Sequence, residues 1–497
     1  MIMKLKSLSL LLFIMASISI MAQSNTEKIN ELDAYIQKGI ELWNPPGLAV
    51  SVVKDGEIIF KKGYGVTTIG TNKNVDENTL FVCASTTKAF VAAGLAMLVD
   101  DKKLNWDDKV INYLPEFQLK DPYLTREITI RDLLTHRTGL GNTDYLWSMM
   151  TISSDSALYK MREVEKTYSL RSSFIYQNLM YLAAGKVLET ISGQNWGDFL
   201  KERIFQPLGM NNTYSLLEQV KPITNKADAH YEIDGEIVKI EQMKADNIGP
   251  AGSMWSTAND TGKWIQFLLN KGVKDGKQLI STANFTELFK PQQIIPANEF
   301  YPTQQATKPN WMTYGLGWFQ HDYRGKMVQF HTGSLSGMVA IAGMIPEENV
   351  GVYVMGNLDH VELRHAIMYT VFDLFMDGKI TRDWSKELHT LYHPDVETTK
   401  EPEPIKNTNS SFEESILLGT YTNEQFGSVT ISKKGNQLIF NINDTLIGSM
   451  NHWHYDTYKG TFNKKEYGTA MLNFVRGADG NLSYLELFGE QFIPIKK

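Results

Sequence analysis

The sequence STTKAFVAAGLAMLV, at residues 85–99, predicts a helix that begins with Ser85 and Lys88. Side chains three residues apart share one face of a helix, so the hydroxyl and the amine can cooperate. The free N–H groups at a helix start also favour a developing oxyanion. A serine hydroxyl becomes a nucleophile when a desolvated, neutral lysine takes its proton. The alternative interpretation is that Ser85 only caps the helix.

Ser-x-x-Lys also occurs at Ser51 and Lys54, but the surrounding pattern separates those two residues. The stretch LAVSVVKDGEIIFKKGYGV, residues 48–66, alternates apolar and polar positions around Lys54-Asp55-Gly56 and predicts a β-hairpin. An odd separation on a strand directs side chains to opposite faces. This second pair is therefore not expected to cooperate.

A second polar motif, Tyr176-Gln177-Asn178, precedes a predicted helix that ends at Ser192-Gly193. Side chains in such a turn can project into a cleft. A tyrosine beside a lysine can shuttle a proton to a leaving group, and Asn178 can orient Lys88 and hold a substrate amide. The other Tyr-x-Asn, Tyr421 and Asn423, lies near the C-terminus and is interpreted as part of a strand.

The third motif is His331-Thr332-Gly333-Ser334, within the predicted strand MVQFHTGS. A glycine inside a strand often marks close approach of a ligand or another backbone. Such a strand can pair with a substrate along its edge, and the N–H groups of Ser334 and Ser85 can then form an oxyanion hole. Arg137-Thr138-Gly139 is spelled similarly but ends a predicted helix.

In this order the three motifs resemble those of the serine β-lactamase and penicillin-binding-protein superfamily. The Tyr-x-Asn motif is similar to its class C branch, as are IRDLLTHRTGL (130–140), FQPLGMNNT (205–213), GPAGSMWSTANDTGKW (249–264) and YGLGW (314–318). The resemblance covers about residues 30–378. It implies that Ser85 is the acylated nucleophile, Lys88 and Tyr176 the base pair, and Asn178 and His331 substrate-site residues.

One position departs from the family pattern. Class C β-lactamases usually have Lys-Thr-Gly as the third motif, where a permanent ammonium helps to bind a substrate carboxylate, and this chain has His331. An imidazole with a pKa of about 6.5 is mostly neutral at pH 7 and binds a carboxylate less well. The resemblance therefore favours the peptidase and esterase relatives over a true β-lactamase.

Helical and strand patterns alternate up to residue 380. The resemblance implies that residues 23–380 form an α+β domain of the β-lactamase/transpeptidase type. Strands occur near both of its ends, so its sheet is expected to have edges from the two termini of the domain. Residues 381–411 are interpreted as a linker, and residues 412–497 as a small all-β domain. Hairpin turns at Lys434-Gly435-Asn436 and Asp479-Gly480-Asn481 support that second domain, which resembles a lipocalin-like barrel.

The N-terminal 22 residues match an export signal, with Lys4 and Lys6 before an apolar run that is too short to span a bilayer. No later stretch reaches the length of a spanning helix, so the mature chain is expected to lack a transmembrane segment and to be exported, as in a bacterial periplasm. Without those two lysines the net charge changes from −7 to −9, which argues against a nucleic-acid partner. The single cysteine, Cys83, cannot form an internal disulfide, and it is interpreted as a buried thiol.

No metal or organic cofactor is expected. The pairs His389/His393 and His452/His454 have metal-like spacing but lack further ligands in the sequence. His136 is interpreted as a structural residue that binds a loop. The predicted function is hydrolysis of an amide or ester, on D-residue peptides or small esters. Two alternatives stay open: a β-lactamase, D,D-carboxypeptidase or penicillin sensor, and an inactive scaffold whose C-terminal domain binds a ligand. The oligomeric state is not predicted.

Overall fold

The computed structural model describes residues 25–394 and 403–495. The predicted export signal, residues 1–22, lies outside the described residues. Within the described residues, no helix combines the length and the apolar character needed to cross a membrane. The chain forms two domains, and the first contains the three motifs.

An antiparallel sheet of eight strands forms the centre of the first domain, in the order β2-β1-β8-β7-β6-β5-β4-β3. The strands are β1 (Gly47–Lys54), β2 (Glu57–Gly65), β3 (Gln293–Ile294), β4 (Met312–Tyr314), β5 (Phe319–Tyr323), β6 (Lys326–Leu335), β7 (Met338–Ile345) and β8 (Val350–Gly356). The predicted hairpin around Lys54-Asp55-Gly56 is present as β1–β2, and β7 and β8 form a second hairpin.

The predicted position of the terminal strands was wrong in one respect. The last strand, β8, pairs with the first, β1, with Leu48 opposite Gly356. The C-terminal strands therefore lie in the middle of the sheet, and the edges are β2 and β3. Pairing the two ends of the domain gives β8 a hydrogen-bonded neighbour on both sides, which an edge position would not provide.

Six longer helices cover the sheet: α1 (25–43), α2 (Thr87–Asp100), α3 (Asn178–Ser192), α4 (Ala258–Leu269), α5 (Leu363–Asp377) and α6 (Trp384–Tyr392). Shorter helices are Pro122–Glu127, Ile130–Leu133, Tyr145–Ser148, Ser154–Lys160, Trp196–Leu200, Gln206–Leu208, Leu217–Val220, Gly249–Gly252, Thr282–Leu288 and Gln304–Thr307, with a π-helical turn at Lys201–Phe205. Two-residue or four-residue ribbons pair Phe81–Val82 with Trp255–Ser256, His230–Ile233 with Glu236–Lys239, and Val273–Lys274 with Lys277–Gln278.

Both faces of the sheet are buried, as the side chains that point alternately to the two faces along β7 show. Ile341 packs in the cluster with α1 and α5, whereas Ala340 and Ala342 pack in the cluster with α2, α3 and α4. Side chains on a strand point alternately to the two faces, so every residue of β7 is buried.

The second domain is a closed antiparallel barrel of eight strands: β9 (Gly419–Asn423), β10 (Gly427–Lys434), β11 (Gln437–Ile442), β12 (Leu446–His454), β13 (Thr457–Phe462), β14 (Thr469–Arg476), β15 (Leu482–Leu487) and β16 (Glu490–Pro494). A short helix, Glu414–Leu417, precedes it. Apolar side chains fill the interior. The ring of Phe440, for example, lies so close to Gly448 and Gly460 that a Cβ on either glycine would collide with it. The predicted all-β domain is confirmed.

The range predicted as a linker contains a helix. α6 packs on α5, because Trp384 stacks on Tyr369 at 4.8 Å between ring centroids and donates from Nε1 to Asp373 Oδ2 at 2.7 Å. The first domain thus extends to about residue 393, beyond the predicted boundary at 380. Part of the predicted linker, residues 395–402, lies outside the described residues.

Candidate active site

Ser85 lies in a 3-10 turn, Ala84–Thr86, that leads directly into α2. Ala84 has φ +46°, a left-handed conformation that costs energy in a residue with a Cβ. The turn exposes part of Ser85 while Lys88, three residues on, is fully buried. The predicted helix start is confirmed to within two residues, and its spacing places the amine under the hydroxyl.

Lys88 Nζ contacts three oxygens. It lies 3.0 Å from Ser85 Oγ, 2.7 Å from Asn178 Oδ1 and 2.8 Å from Ala251 O. Burial holds the pKa of Lys88 well below its ordinary value, and the nearby charge of Asp144 acts in the opposite direction. A neutral amine has two N–H groups and one lone pair. When the amine is neutral, its two N–H groups can be donated to the amide and carbonyl oxygens, which leaves its lone pair for the Ser85 hydroxyl.

Tyr176 lies beside both Lys88 and Ser85. Burial raises the pKa of Tyr176 well above its ordinary value, and a hydrogen bond with Ser85 acts in the opposite direction. Its ring centroid lies 4.8 Å from Lys88 Nζ and 4.2 Å from the ring of His136. The phenol therefore keeps its proton near neutral pH, and Lys88 is the stronger candidate for the base.

His136 hydrogen-bonds to the backbone of the second motif, Tyr176-Gln177-Asn178. Its Nδ1 accepts a hydrogen bond of 3.0 Å from the backbone N–H of Gln177, between Tyr176 and Asn178. The predicted loop-binding role is thus observed. The Gln177 side chain in turn binds Leu140 O at 3.0 Å and Thr143 Oγ1 at 2.7 Å. The middle residue of the motif ties it to the loop after His136.

Strand β6 passes directly over the nucleophile. A Cβ on Gly333 would overlap Cys83 O and would lie 2.9 Å from Ser85 N, so only glycine allows this approach. β5 pairs with β6 only as far as Phe330, and the segment from His331 to Leu335 pairs with β7 alone. One edge of that segment is therefore unpaired.

The turn between β6 and β7 determines which backbone N–H and C=O groups of β6 point towards β7 and which point to the unpaired edge. Leu335 and Met338 close a turn of two residues, so they exchange hydrogen bonds with each other. Backbone groups alternate along a strand, and Ser334 and Thr332 thus face the unpaired edge. Ser334 is exposed, and its N–H faces the unpaired edge of β6, which passes close to Ser85 N. An oxyanion hole formed by these two N–H groups stays a prediction.

His331, which the resemblance implies as a substrate-site residue, is buried with both ring nitrogens hydrogen-bonded inside the protein. Its Nδ1 donates to Thr332 O at 2.6 Å, and its Nε2 accepts from Tyr314 Oη at 2.8 Å. Burial lowers the pKa of His331 to about 3, with the charge of Lys88 acting in the same direction. Because both ring nitrogens bind within the protein, the imidazole supplies no cation and no free polar group to a substrate. Thr332 is likewise engaged, since its hydroxyl binds Tyr301 Oη.

Two charged residues near the motifs were missed at the level of sequence. Asp144 Oδ1 accepts from Asn178 Nδ2 at 2.8 Å, so that the amide joins the carboxylate to Lys88. Arg364 Nη1 donates to Gly333 O at 2.5 Å and to Ser334 Oγ at 3.0 Å, and Glu362 neutralises it at 2.9 Å. Neither residue belongs to a short motif, and only the folded chain brings them to β6 and α3.

The other candidates from the sequence lie apart from Ser85. Ser51 packs inside the first domain near Thr261, while Lys54 binds Asp55 at 2.6 Å. Tyr421 is a buried strand residue that donates to Leu417 O. His389 and His393 stack on each other at the end of α6, as predicted for a surface helix end. No cluster of three metal-binding side chains occurs among residues 25–394 and 403–495.

A cavity of about 520 Å³ lies between the two domains. Trp147, Met243 and Ser336 line it from the first domain, and Thr445, Lys464 and Tyr467 from the barrel. Ser336 lies in the turn directly after β6, two residues beyond Ser334 in the chain. The volume falls in the range of ligand-binding pockets.

Comparisons with known proteins agree with the geometry. The family model "Beta-lactamase" matches residues 32–371, and "Domain of unknown function (DUF3471)" matches residues 403–495. Unguisins hydrolase ungD' of Aspergillus campestris is 28% identical over 393 residues, which is 76% of this chain and 70% of the relative.

Solved structures share the fold. The octameric penicillin-binding protein homologue from Pyrococcus abyssi is 21% identical, with a TM-score of 0.64, covering 94% of this chain and all of that one. D-amino acid amidase from Ochrobactrum anthropi SV3 is 23% identical, with a TM-score of 0.57, covering 72% of this chain and 98% of the amidase. The α+β fold with a C-terminal eight-stranded barrel is confirmed.

Proposed function

The chain belongs to the beta-lactamase family and is a serine hydrolase, and we propose that it cleaves an amide or ester bond through an acyl intermediate on Ser85. The observation that carries this proposal is the buried amine of Lys88, which lies 3.0 Å from Ser85 Oγ and whose pKa burial holds well below its ordinary value. Asn178 Oδ1 and Ala251 O occupy its two N–H groups, which leaves its lone pair to take the Ser85 proton. The same chemistry would not be available to an exposed, charged lysine.

The reaction divides into two half-reactions. Ser85 Oγ attacks the carbonyl carbon and its proton passes to Lys88 Nζ, while the N–H groups of Ser85 and Ser334 bind the oxyanion. Tyr176 keeps its phenol proton near neutral pH. It relays the proton from Lys88 to the leaving nitrogen or oxygen. Water then attacks the acyl carbon, and the same groups take its proton and return Ser85 to the hydroxyl.

We propose peptides that contain a D-residue, and related small amides or esters, as the substrate class. The D-amino acid amidase that shares this fold supports a D-residue substrate, and the unguisins hydrolase supports a hydrolytic reaction. The unpaired edge of β6 suits the backbone of a peptide, and the interdomain cavity beyond Ser336 gives space for residues that follow the scissile bond.

The site is less suited to substrates that must bind through a carboxylate. His331 is neutral and buried, and Glu362 already neutralises Arg364. β-Lactams and C-terminal D-residues carry that carboxylate, so the β-lactamase and D,D-carboxypeptidase candidates rank second. The silent-scaffold candidate ranks third, because apolar side chains such as Phe440 fill the barrel interior where a ligand would lie.

The decisive experiment compares wild type with Ser85→Ala. Fluorophosphonate and fluorescent penicillin report acylation, and p-nitrophenyl esters, D-amino-acid anilides and nitrocefin report turnover. We expect esters and D-anilides to turn over in the wild type, with a loss of at least about 10³-fold in Ser85→Ala. Labelling without turnover would favour a penicillin sensor, and the absence of Ser85-dependent labelling would contradict the catalytic proposal.

A further inference from the structure

Asp144 is the charged group that faces the Lys88 amine through Asn178. Its Oδ1 accepts from Asn178 Nδ2 at 2.8 Å and from Trp147 Nε1 at 2.9 Å. Asn178 Oδ1 in turn accepts from Lys88 Nζ at 2.7 Å. The negative charge raises the pKa of Lys88 against the effect of burial. The position of Asp144 therefore affects both the orientation and the proton affinity of the base.

The segment that carries Asp144, residues 142–153, has little structure of its own. It contains one helix of four residues, Tyr145–Ser148, whose N-cap Asp144 makes no side-chain cap bond. An isolated helical turn is unstable in water. The segment must therefore be held by contacts with other parts of the molecule.

The barrel contacts the segment at Tyr145 and at Met149. The ring of Tyr145 packs on Phe426 with centroids 4.1 Å apart, and its hydroxyl accepts from Gln425 Nε2. Asn443 Nδ2 donates to Met149 O at 3.2 Å, while the Met149 side chain packs against the barrel core. These contacts come from the loops that connect the first strands of the barrel.

Those barrel loops are themselves braced. Asn423 Oδ1 accepts from the backbone N–H groups of Gln425 and Phe426 at 2.8 and 2.9 Å. Asn443 Oδ1 accepts from Ser428 N at 2.8 Å, and its Nδ2 donates to Phe426 O at 2.9 Å. Side-chain bonds of this kind fix turns that backbone pairing leaves open. The barrel therefore presents Phe426 as a preformed surface.

We propose that the C-terminal barrel positions the catalytic base: Phe426 and Gln425 hold Tyr145, and the held segment keeps Asp144 against Asn178. Phe426 and Tyr145 are positioning residues, since neither touches Ser85 or a substrate. The catalytic part of this inference rests on the proposed function. The structural part, that the barrel orders residues 142–153, stands independently of it.

A double-mutant cycle on the full-length chain tests the catalytic part. Phe426→Ala should lower kcat on p-nitrophenyl esters about 10-fold, and Asp144→Asn more. If the barrel acts through Asp144, the double variant should lose no more than about 3-fold beyond Asp144→Asn alone. Fold losses that multiply would overturn the proposal. Phe426→Tyr, which keeps the ring, should restore most of the activity.

The pH profile gives a readout that a general loss of stability would not move. Asp144 raises the pKa of Lys88, and the base works when it is deprotonated, so the rate rises with pH through that pKa. Loosening or neutralising Asp144 lowers the pKa of Lys88. The acid limb of kcat/KM should therefore move to lower pH in both Phe426→Ala and Asp144→Asn. A limb that stays in place in Phe426→Ala would contradict the inference.

Hydrogen exchange tests the structural part without catalysis. Amides of residues 142–153 should exchange at least about 10-fold faster in Phe426→Ala than in wild type. Phe488→Ala is the matched control, because Phe488 is an exposed phenylalanine of the same barrel. Unchanged exchange in Phe426→Ala would overturn the inference even if activity fell. Faster exchange in a protein without Ser85-dependent turnover would retain the barrel's ordering role and reject the proposed function alone.

Discussion

Single buried residues set the protonation of the groups in the first domain. Burial favours the neutral form of an amine, an imidazole and a phenol alike, which lowers the pKa of Lys88 and of His331 and raises that of Tyr176. The short motifs identify these residues, but a motif does not state whether a side chain faces solvent. His331 illustrates this, since its neighbours Gly333 and Ser334 lie at the site and its own ring binds Tyr314.

His321 makes the protein sensitive to acid. Burial lowers its pKa to about 4, whereas an unfolded histidine has a pKa of about 6.5. Below pH 6.5 the unfolded chain binds the proton more readily, so the stability that neutral His321 contributes is lost as pH falls towards 4. For this residue the loss between pH 7 and pH 5 is on the order of 2 kcal/mol.

Thermal denaturation at pH 7 and pH 5 measures the effect. His321→Asn should show a smaller drop in Tm between the two pH values than wild type. His360→Asn is the control, because that histidine is exposed. An equal drop in wild type and His321→Asn would show that other groups dominate the acid response.

The close approach of β6 to the nucleophile is a property of two elements. Gly333 lets the strand lie against the turn that carries Ser85 N, and Arg364 holds Gly333 O from the other side. The strand pattern of residues 327–334 predicted β6. The contact from Arg364 on α5 was not predicted, because no sequence pattern near β6 indicates it. Element packing thus decides whether the two N–H groups converge.

Gly333→Ala should displace β6 from Ser85 and lower kcat on the order of 10²-fold, the loss typical of a missing oxyanion donor. Gly252→Ala is the matched control: a Cβ there lies 3.5 Å or more from the backbone of Ala84 and Ser85, an ordinary contact. Ester turnover by both variants checks this. Similar activity in the two variants would mean that β6 does not set the oxyanion hole.

The arrangement of the two domains matters because it shapes the space beside the site. The interdomain cavity exists only where the barrel meets residues 147–154 and 241–247 of the first domain. Lys464 of the barrel binds Glu241 of the first domain at 2.9 Å at this boundary. The cavity should therefore affect long substrates more than short ones.

Met243→Trp should fill part of the cavity, in which Met243 contacts Ser336. We expect kcat/KM to fall about 10-fold for a tetrapeptide with a D-residue at the scissile bond and to stay unchanged for p-nitrophenyl acetate. Met471→Trp, at an exposed barrel position, controls for the added ring. Equal losses on both substrates would place the peptide outside the cavity.

The amino-acid sequence by itself determined the hairpins, α3 with its Gly193 end, and the meeting of Ser85 with Lys88, because those depend on periodicities of two and 3.6 residues. The order of its three motifs implied the fold class through the family resemblance. The export signal stays a prediction. Only the tertiary structure decided the central position of β8, the inward turn of His331, and the contacts of Asp144 and Phe426 with their partners. These features depend on contacts between residues far apart in the chain. Burial in the folded state selects those contacts, and no local sequence pattern indicates them.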